Sequence, residues 1–130
     1  MIYFDTSALV KLVFEEAESG ALAEWLSART EVPKITSDLA MIDLLRTCRR
    51  IDADAVADAT TLLGGLDLMP MDRTIVEHAA ALAPADLRSL DAIHLASALA
   101  VKDDLSVLVA YDDRLCTAAA RAGVVVASPR

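Results

Sequence analysis

Cysteine and histidine are scarce in this chain, with two of each among 130 residues, and aromatic side chains make up only 4%. Cys48 and Cys116 lie far apart and without metal-ligand spacing, which argues against a cysteine-based zinc site, although two thiols could bridge in principle. They read instead as buried, reduced thiols. With so few aromatics, Ala, Leu and Val must fill the core, a composition suited to helices lying on a parallel sheet. Positive charge is also in short supply: 12 basic residues against 20 acidic ones leave a formal net charge of −8. That excludes a simple phosphate-backbone binder, which needs a positive surface. It favours a protein whose carboxylates hold divalent cations, or one that meets a partner bearing Arg or Lys. Long apolar runs are missing too. The most apolar helical stretch, Leu90 to Val101, is interrupted by Asp91 and His94 and is too short to span a bilayer. No basic leader, apolar signal region or cleavage site is visible, so the expectation is a cytoplasmic protein with no membrane role.

What is present is a foldable chain: 55% hydrophobic and 25% charged residues belong to a globular protein rather than a disordered one. The length suits one domain spanning residues 1–130. Short apolar runs alternate with longer helical patterns. Strands are expected at Met1–Phe4, Val32–Thr36, Leu66–Met69, Val107–Ala110 and Val124–Ala127. The runs VLVA and VVVA are continuously apolar, as in strands covered on both faces. Helices are expected near 17–28, 37–50, 52–63, 72–82, 89–101 and 112–121. Ser37 and Ser89 stand where N-caps belong, and Gly64, Gly65 and Gly123 where helices should stop. Pro33 marks the second strand as short or peripheral. This alternation predicts an α/β fold: an open five-stranded parallel sheet flanked by helices on both faces.

In such sheets ligands bind at the carboxyl ends of the strands. Asp5 directly follows the first strand and Asp112 almost directly follows the fourth. Asp91 falls in the first turn of one helix and Asp43 in the middle of another. If the first and fourth strands are neighbours, Asp5 and Asp112 face one crevice, and Asp43 and Asp91 can be aimed into it. Two carboxylates about 5 Å apart repel by about 3 kcal/mol at an effective dielectric of roughly 20. Several together call for a bridging cation, and oxygen donors without His or Cys select Mg²⁺ or Mn²⁺. Such an ion acidifies water and stabilises charge in phosphoryl displacement. Each acid also has a structural reading. Asp5 and Asp112 can cap the helices that follow them, Asp91 can complement a helix dipole, and Asp43 can pair with Arg46.

The segments FDTSAL (Phe4–Leu9), LRSLDAIHLA (Leu87–Ala96) and YDDRL (Tyr111–Leu115) closely resemble the PIN-domain ribonucleases, and most nearly the VapC toxins of bacterial toxin–antitoxin pairs. The segment from Thr36-Ser37 to Asp43-Leu44-Leu45-Arg46 matches the family's second acidic motif in position. The resemblance covers the whole chain and implies a PIN-like sheet, metal-dependent endonuclease activity on structured RNA, and a cognate antitoxin that blocks the active site. It also implies a homodimer or a toxin–antitoxin hetero-oligomer. Carried onto this chain, the catalytic acids are Asp5, Asp43, Asp91 and Asp112, with Asp5, Asp91 and Asp112 as the metal ligands. Thr6 or Ser7 would offer a hydroxyl to the metal's surroundings or else cap a helix, and Asp113 is an adjacent acid. The chain departs from the family's pattern twice. Asp43 stands where Glu is usual and would reach a metal through water. Ala110 stands where a hydroxyl residue often precedes the aromatic.

Arg46, Arg49 and Arg50 cluster on the helix that carries Asp43, and Asp43, Arg46 and Arg50 fall roughly on one face. Arg46, Arg50, Arg88 and Arg114 are therefore candidates for RNA phosphate, with intrahelical pairing or plain solvation as the alternative. His94 lies one turn beyond Asp91 and is expected to be packed and hydrogen-bonded. His78 sits in another helix, so a paired-histidine mechanism is not expected. Trp25, Leu22 and Leu26 form an apolar stripe, either core or a partner-binding surface. Two other readings compete with a metal-dependent nuclease. One is a non-catalytic PIN-like module that binds RNA or protein through a weakened metal site. The other is a phospho-acceptor receiver domain. The receiver needs an acidic pair after the first strand and a lysine after the last inner one, and neither is present.

Overall fold

Residues 1–130 are all described by the computed structural model. Its strands are β1 (Ile2–Phe4), β2 (Lys34–Ser37), β3 (Asp67–Met69), β4 (Val107–Val109) and β5 (Val126–Ala127), ordered β3-β2-β1-β4-β5. Every neighbouring pair is parallel. All residues of β1 and β4 are buried, which explains why both read as unbroken apolar runs. Side chains alternate between faces. Ile2, Phe4, Val107 and Val109 join one core, and Tyr3 and Leu108 the other.

Seven helices cover these faces: α1 (Thr6–Val13), α2 (Ser19–Ser27), α3 (Asp38–Ile51), α4 (Val56–Gly64), α5 (Arg73–Ala81), α6 (Ser89–Ala100) and α7 (Asp113–Arg121). The first core packs Leu9 of α1, Leu22 of α2, Leu44 and Cys48 of α3, and Ala59 and Leu63 of α4. The second packs Leu95 and Ala98 of α6 with Leu115, Ala118 and Ala119 of α7. Small alanines let α6 and α7 lie close to the sheet without aromatic filler. The chain runs outward from β1 through β2 to β3, then returns to place β4 on the other side of β1. At that reversal the loops leaving β1 and β4 part, which opens a crevice at their carboxyl ends.

Several local expectations change. Helix α1 lies in a stretch for which the sequence pattern gave no helix. It is short, rich in β-branched residues and held by its cap and by buried Ala8 and Leu9. The helix expected over 52–63 is a short 3₁₀ turn, Ala53–Ala55, followed by α4. Strand β2 is not peripheral. It begins just after Pro33 and pairs with β1 and β3, while the Pro33 carbonyl accepts from the Ile2 N–H at 2.8 Å. Proline lacks a donor but keeps its acceptor, so it is tolerated at the strand's entrance. Ser37 caps α3 by accepting from the Leu39 N–H at 3.1 Å. Ser89 does not cap α6; it is the first helical residue, and Arg88 occupies the cap position without a side-chain cap bond.

Gly65 and Gly123 stand where the helices stop; only Gly123 has a positive φ, 84°. Both cysteines are free, Cys48 buried and Cys116 half-buried. Trp25 is half-buried against the first core, with the Arg29 guanidinium 3.9 Å from its ring centre, so the stripe is core on its inner side. No helix is long and apolar enough to cross a membrane.

Candidate active site

The crevice beside β1 and β4 is a cleft of about 340 Å³, and Asp5, Asp43, Asp91 and Asp112 all line it. Each acid arrives by a different route. Asp5 is the residue after β1 and the N-cap of α1, where its carboxylate accepts from the Ala8 N–H at 3.0 Å. Asp112 lies three residues beyond β4 and caps α7, accepting from the Leu115 N–H at 3.0 Å. Asp91 stands in the first turn of α6, and half-buried Asp43 projects from the middle of α3. Capping and clustering thus coincide at Asp5 and Asp112. The cap bond fixes one carboxylate oxygen, and the rest of the group faces the cleft.

Ser7 ties the two central loops together. Its hydroxyl donates to the Asp5 carboxylate, at 2.7 and 2.8 Å from the two oxygens, and accepts from the Tyr111 N–H at 3.0 Å. The link spans the loops after β1 and β4, so Ser7 orients Asp5. Thr6 lines the cleft as well, but its hydroxyl lies 3.1 Å from His94 Nε2. The Tyr3 hydroxyl is 2.9 Å from His94 Nδ1. A neutral imidazole donates from one nitrogen and accepts at the other, so both ring atoms are satisfied. Burial pushes the His94 pKa down to about 4, so the ring is neutral at physiological pH.

Burial disfavours charge at the acids as well, which moves their pKa values the other way. Burial, opposed by the hydrogen bonds from Ser7 and Ala8 and reinforced by the charges of Asp91 and Asp112, pushes the Asp5 pKa up to about 6. Asp91 is also raised, first by burial and then by Asp112, against the opposing pull of Arg88. Arg88 Nε donates to Asp91 at 3.2 Å and its Nη2 donates to Asp112 at 2.8 Å. Asp43 forms no ion pair with Arg46. Asp113 is exposed on α7 and is not among the residues lining the cleft. Arg46, Arg49 and Arg50 lie together on the exposed side of α3, and Arg114 is exposed on α7. His78 is exposed and remote.

Sequence reasoning missed three contributors. Val10 and Leu90 line the cleft, and Tyr3 anchors His94 from beneath. A tyrosine in a fully buried strand needs a partner for its hydroxyl, and that signal could have drawn attention to Tyr3.

A family model described as the PIN domain matches residues 2–121. Ribonuclease VapC47 of Mycobacterium tuberculosis is 42% identical over 99% of this chain and 97% of its own length. The chain belongs to the PIN-domain family, in its VapC group. Ribonuclease VapC35 of the same organism is 44% identical over 99% of this chain and 97% of its own. Among solved structures, VapBC2 from Rickettsia felis, bound to a DNA fragment from their promoter, aligns over 100% of both chains with a TM-score of 0.78 and 11% identity. FitAcB from Neisseria gonorrhoeae aligns over 99% of this chain and 98% of its own, with a TM-score of 0.77 and 15% identity. At these identities the likeness is one of fold, and the fold is the five-stranded parallel PIN sheet.

Within this PIN domain the cleft offers four carboxylates and the hydroxyls of Thr6, Ser7 and Ser89, while both nitrogens of His94, which also lines it, are already engaged by Tyr3 and Thr6. That chemistry fits a hard divalent cation. As the side chains stand, no group of three or more His, Cys, Asp or Glu residues is arranged to hold an ion. The positive charge among the acids belongs to Arg88.

Proposed function

We propose that the chain is a Mg²⁺- or Mn²⁺-dependent endoribonuclease toxin, which cleaves structured RNA and is held in check by a cognate antitoxin. The observation that carries this reading is the convergence of four aspartates, from four separate elements, on one cleft at the switch point of the sheet. Curated relatives of matching length are named ribonucleases. Asp5, Asp91 and Asp112 would hold the cation, with Asp43 contributing through water and all four acting as the catalytic set. A bound Mg²⁺ or Mn²⁺ supplies acidified water and charge stabilisation at the phosphate, which no side chain here provides. Ser7 keeps the Asp5 carboxylate aimed, and the cap bonds hold Asp5 and Asp112 in place. Neutral His94 is a poor proton acceptor with both nitrogens engaged, so it packs and orients Thr6 rather than acting as the base.

The substrate must reach an acidic cleft on an acidic protein, and the exposed arginines of α3 and Arg114 offer its phosphates positive charge that no acid of this chain pairs. An antitoxin fits the same electrostatics, because a cationic side chain from a partner would neutralise the cleft and block it. Solved neighbours include a toxin–antitoxin complex from Klebsiella pneumoniae. The assembly would be a toxin–antitoxin hetero-oligomer or a homodimer acting on RNA in the cytoplasm. The competing reading, a non-catalytic module that binds RNA or protein, draws on the engagement of Arg88 with two of the acids and on the short arm of Asp43. Incubating purified protein with total RNA, with Mn²⁺ and then with chelator, separates the two. Cleavage with discrete products in Mn²⁺, lost in Asp91→Asn, supports the enzyme. Intact RNA under all metal conditions leaves only the binding module.

A further inference from the structure

Arg88 sits among the acids rather than beside them. Its guanidinium bridges Asp91 and Asp112, which come from α6 and from the loop after β4, and so occupies the gap between two of the four carboxylates lining the cleft. The backbone of Arg88 is fixed, because it caps α6 and its carbonyl accepts from the Ala92 N–H at 2.9 Å. Its side chain is held only by those two carboxylates and remains 64% exposed. An arginine anchored at the backbone and open to solvent along its side chain can exchange partners by side-chain rotation alone. A second hollow adjoins the first on the outer side, lined by Arg88, Tyr111, Asp112, Asp113 and Arg114, where an outward Arg88 would lie beside a second cation.

We infer that Arg88 is the cleft's own counter-ion, displaced by the divalent cation and thereby released to bind RNA phosphate beside Arg114. This rests on the metal-dependent reading above and adds to it a coupling between cation loading and substrate capture. The guanidinium and the cation compete for the oxygens of Asp91 and Asp112, because both stabilise the same negative charge. A doubly charged ion replacing a singly charged group better satisfies four carboxylates, and the freed guanidinium finds its next anion in the substrate. Arginine suits both positions, since its planar fork pairs with carboxylate and phosphate alike. The inhibition is reciprocal: each partner of Arg88 that is withdrawn makes the other exchange easier.

The test is calorimetric titration of Mn²⁺ into the metal-free protein, paired with anisotropy of a labelled phosphorothioate RNA with and without Mn²⁺. Wild type is compared with Arg88→Gln and Arg88→Lys. Removing the competitor should tighten Mn²⁺ binding in Arg88→Gln by roughly threefold or more, the scale of partly exposed ion pairs. In wild type, Mn²⁺ should strengthen RNA binding by roughly threefold or more, and in Arg88→Gln that gain should shrink to what the cation itself contributes at the phosphate. Lysine, which keeps the charge but lacks the planar fork, should give an intermediate Mn²⁺ affinity and serves as the readout if the glutamine variant fails to fold. Mn²⁺ affinity that is unchanged or weaker in both variants overturns the competition. An unchanged gain in RNA affinity in Arg88→Gln overturns the release to phosphate. Absence of Mn²⁺ binding in wild type and both variants overturns the metal-dependent reading itself, an outcome distinct from the other two.

Discussion

Asp91 and His94 lie one turn apart on α6 and line the same cleft, and burial disfavours the charged form of each, yet only Asp91 has like charges beside it. His94 is buried with a hydroxyl against each ring nitrogen, and its pKa is pushed down to about 4. Nothing around it needs a further partner. On the Asp91 side, Asp5 is also buried and well hydrogen-bonded, but its pKa is pushed up to about 6, and Asp91 itself is raised. The difference shows that burial alone does not mark a functional group. His94 is buried in its neutral form, which costs little once its hydrogen bonds are made. At Asp5 and Asp91 ionisation is resisted first by burial and then by neighbours of the same sign, a conflict that a bound cation would relieve.

The sharpest way to break this contrast is to remove the conflict. Asp5→Asn keeps the shape of the side chain and its acceptor for the Ala8 N–H, but removes the charge. Cleavage of RNA should fall by at least roughly a hundredfold, as expected when a carboxylate that would hold the charge-stabilising cation is lost. Stability should move the other way. Asp5 has its folded pKa raised from 3.8 to about 6, so the folded state holds the proton more tightly and loses stability as pH rises through that window. At pH 7.5 the metal-free variant should therefore be more stable than wild type by up to about 3 kcal/mol. Urea titration of both proteins checks this, and below pH 4 the advantage should vanish. A variant that is both inactive and less stable at pH 7.5 would show that the carboxylate is structural.

His94 supplies the mirror experiment. Its folded pKa is lowered from 6.5 to about 4, so its contribution is complete above pH 6.5 and is lost as pH falls towards 4, by up to about 3 kcal/mol. The slopes from Asp5 and His94 have opposite signs over nearly the same interval. Between pH 4 and 6.5 they should largely cancel, and metal-free wild type should show little net dependence from this pair. Asp5→Asn should uncover a rise in stability with pH, and His94→Gln a fall. Denaturant midpoints at half-unit pH steps read both, and equal slopes in the two variants would contradict the assignment. A smaller effect follows from Tyr3→Phe, which leaves His94 Nδ1 buried without its hydroxyl partner. The expected loss is about 1–3 kcal/mol of stability at neutral pH, with the acid wall and its cleavage chemistry left in place.

The same two walls explain what could be read in the sequence. The order of elements and the placement of Asp5 and Asp112 follow from apolar runs that end in an acid or just before one, because strand burial and helix capping are local rules; the pairing of β1 with β4 stood only as a condition until the fold supplied it. Asp43 and Asp91 were found by position on amphipathic helices. What escaped was everything that depends on side chains meeting across long separations. Ser7 meets the Tyr111 N–H, and Tyr3 meets His94, across about ninety to a hundred residues of chain. Arg88 looked like a free cation beside an acid, and only tertiary placement turns it towards Asp112. Helix α1 escaped for a different reason: its β-branched composition resembles a strand, and its cap and burial override that propensity.

Arg88 also sets the standard for the other arginines. It is held by two carboxylates, whereas Arg46, Arg49 and Arg50 form a cluster on α3 with no ion pair among them or to Asp43. An arginine without an internal partner carries its charge at no structural benefit, so its removal should barely affect folding. Arg46→Gln and Arg50→Gln should each change stability by no more than about 0.5 kcal/mol. If this face guides RNA to the cleft, each substitution should weaken binding across sequences and lower the salt dependence of affinity by about one unit of slope. Fluorescence anisotropy at several salt concentrations measures that slope. A slope unchanged in the double variant would move the RNA path away from α3 and leave Arg88 and Arg114 as its only cationic guides.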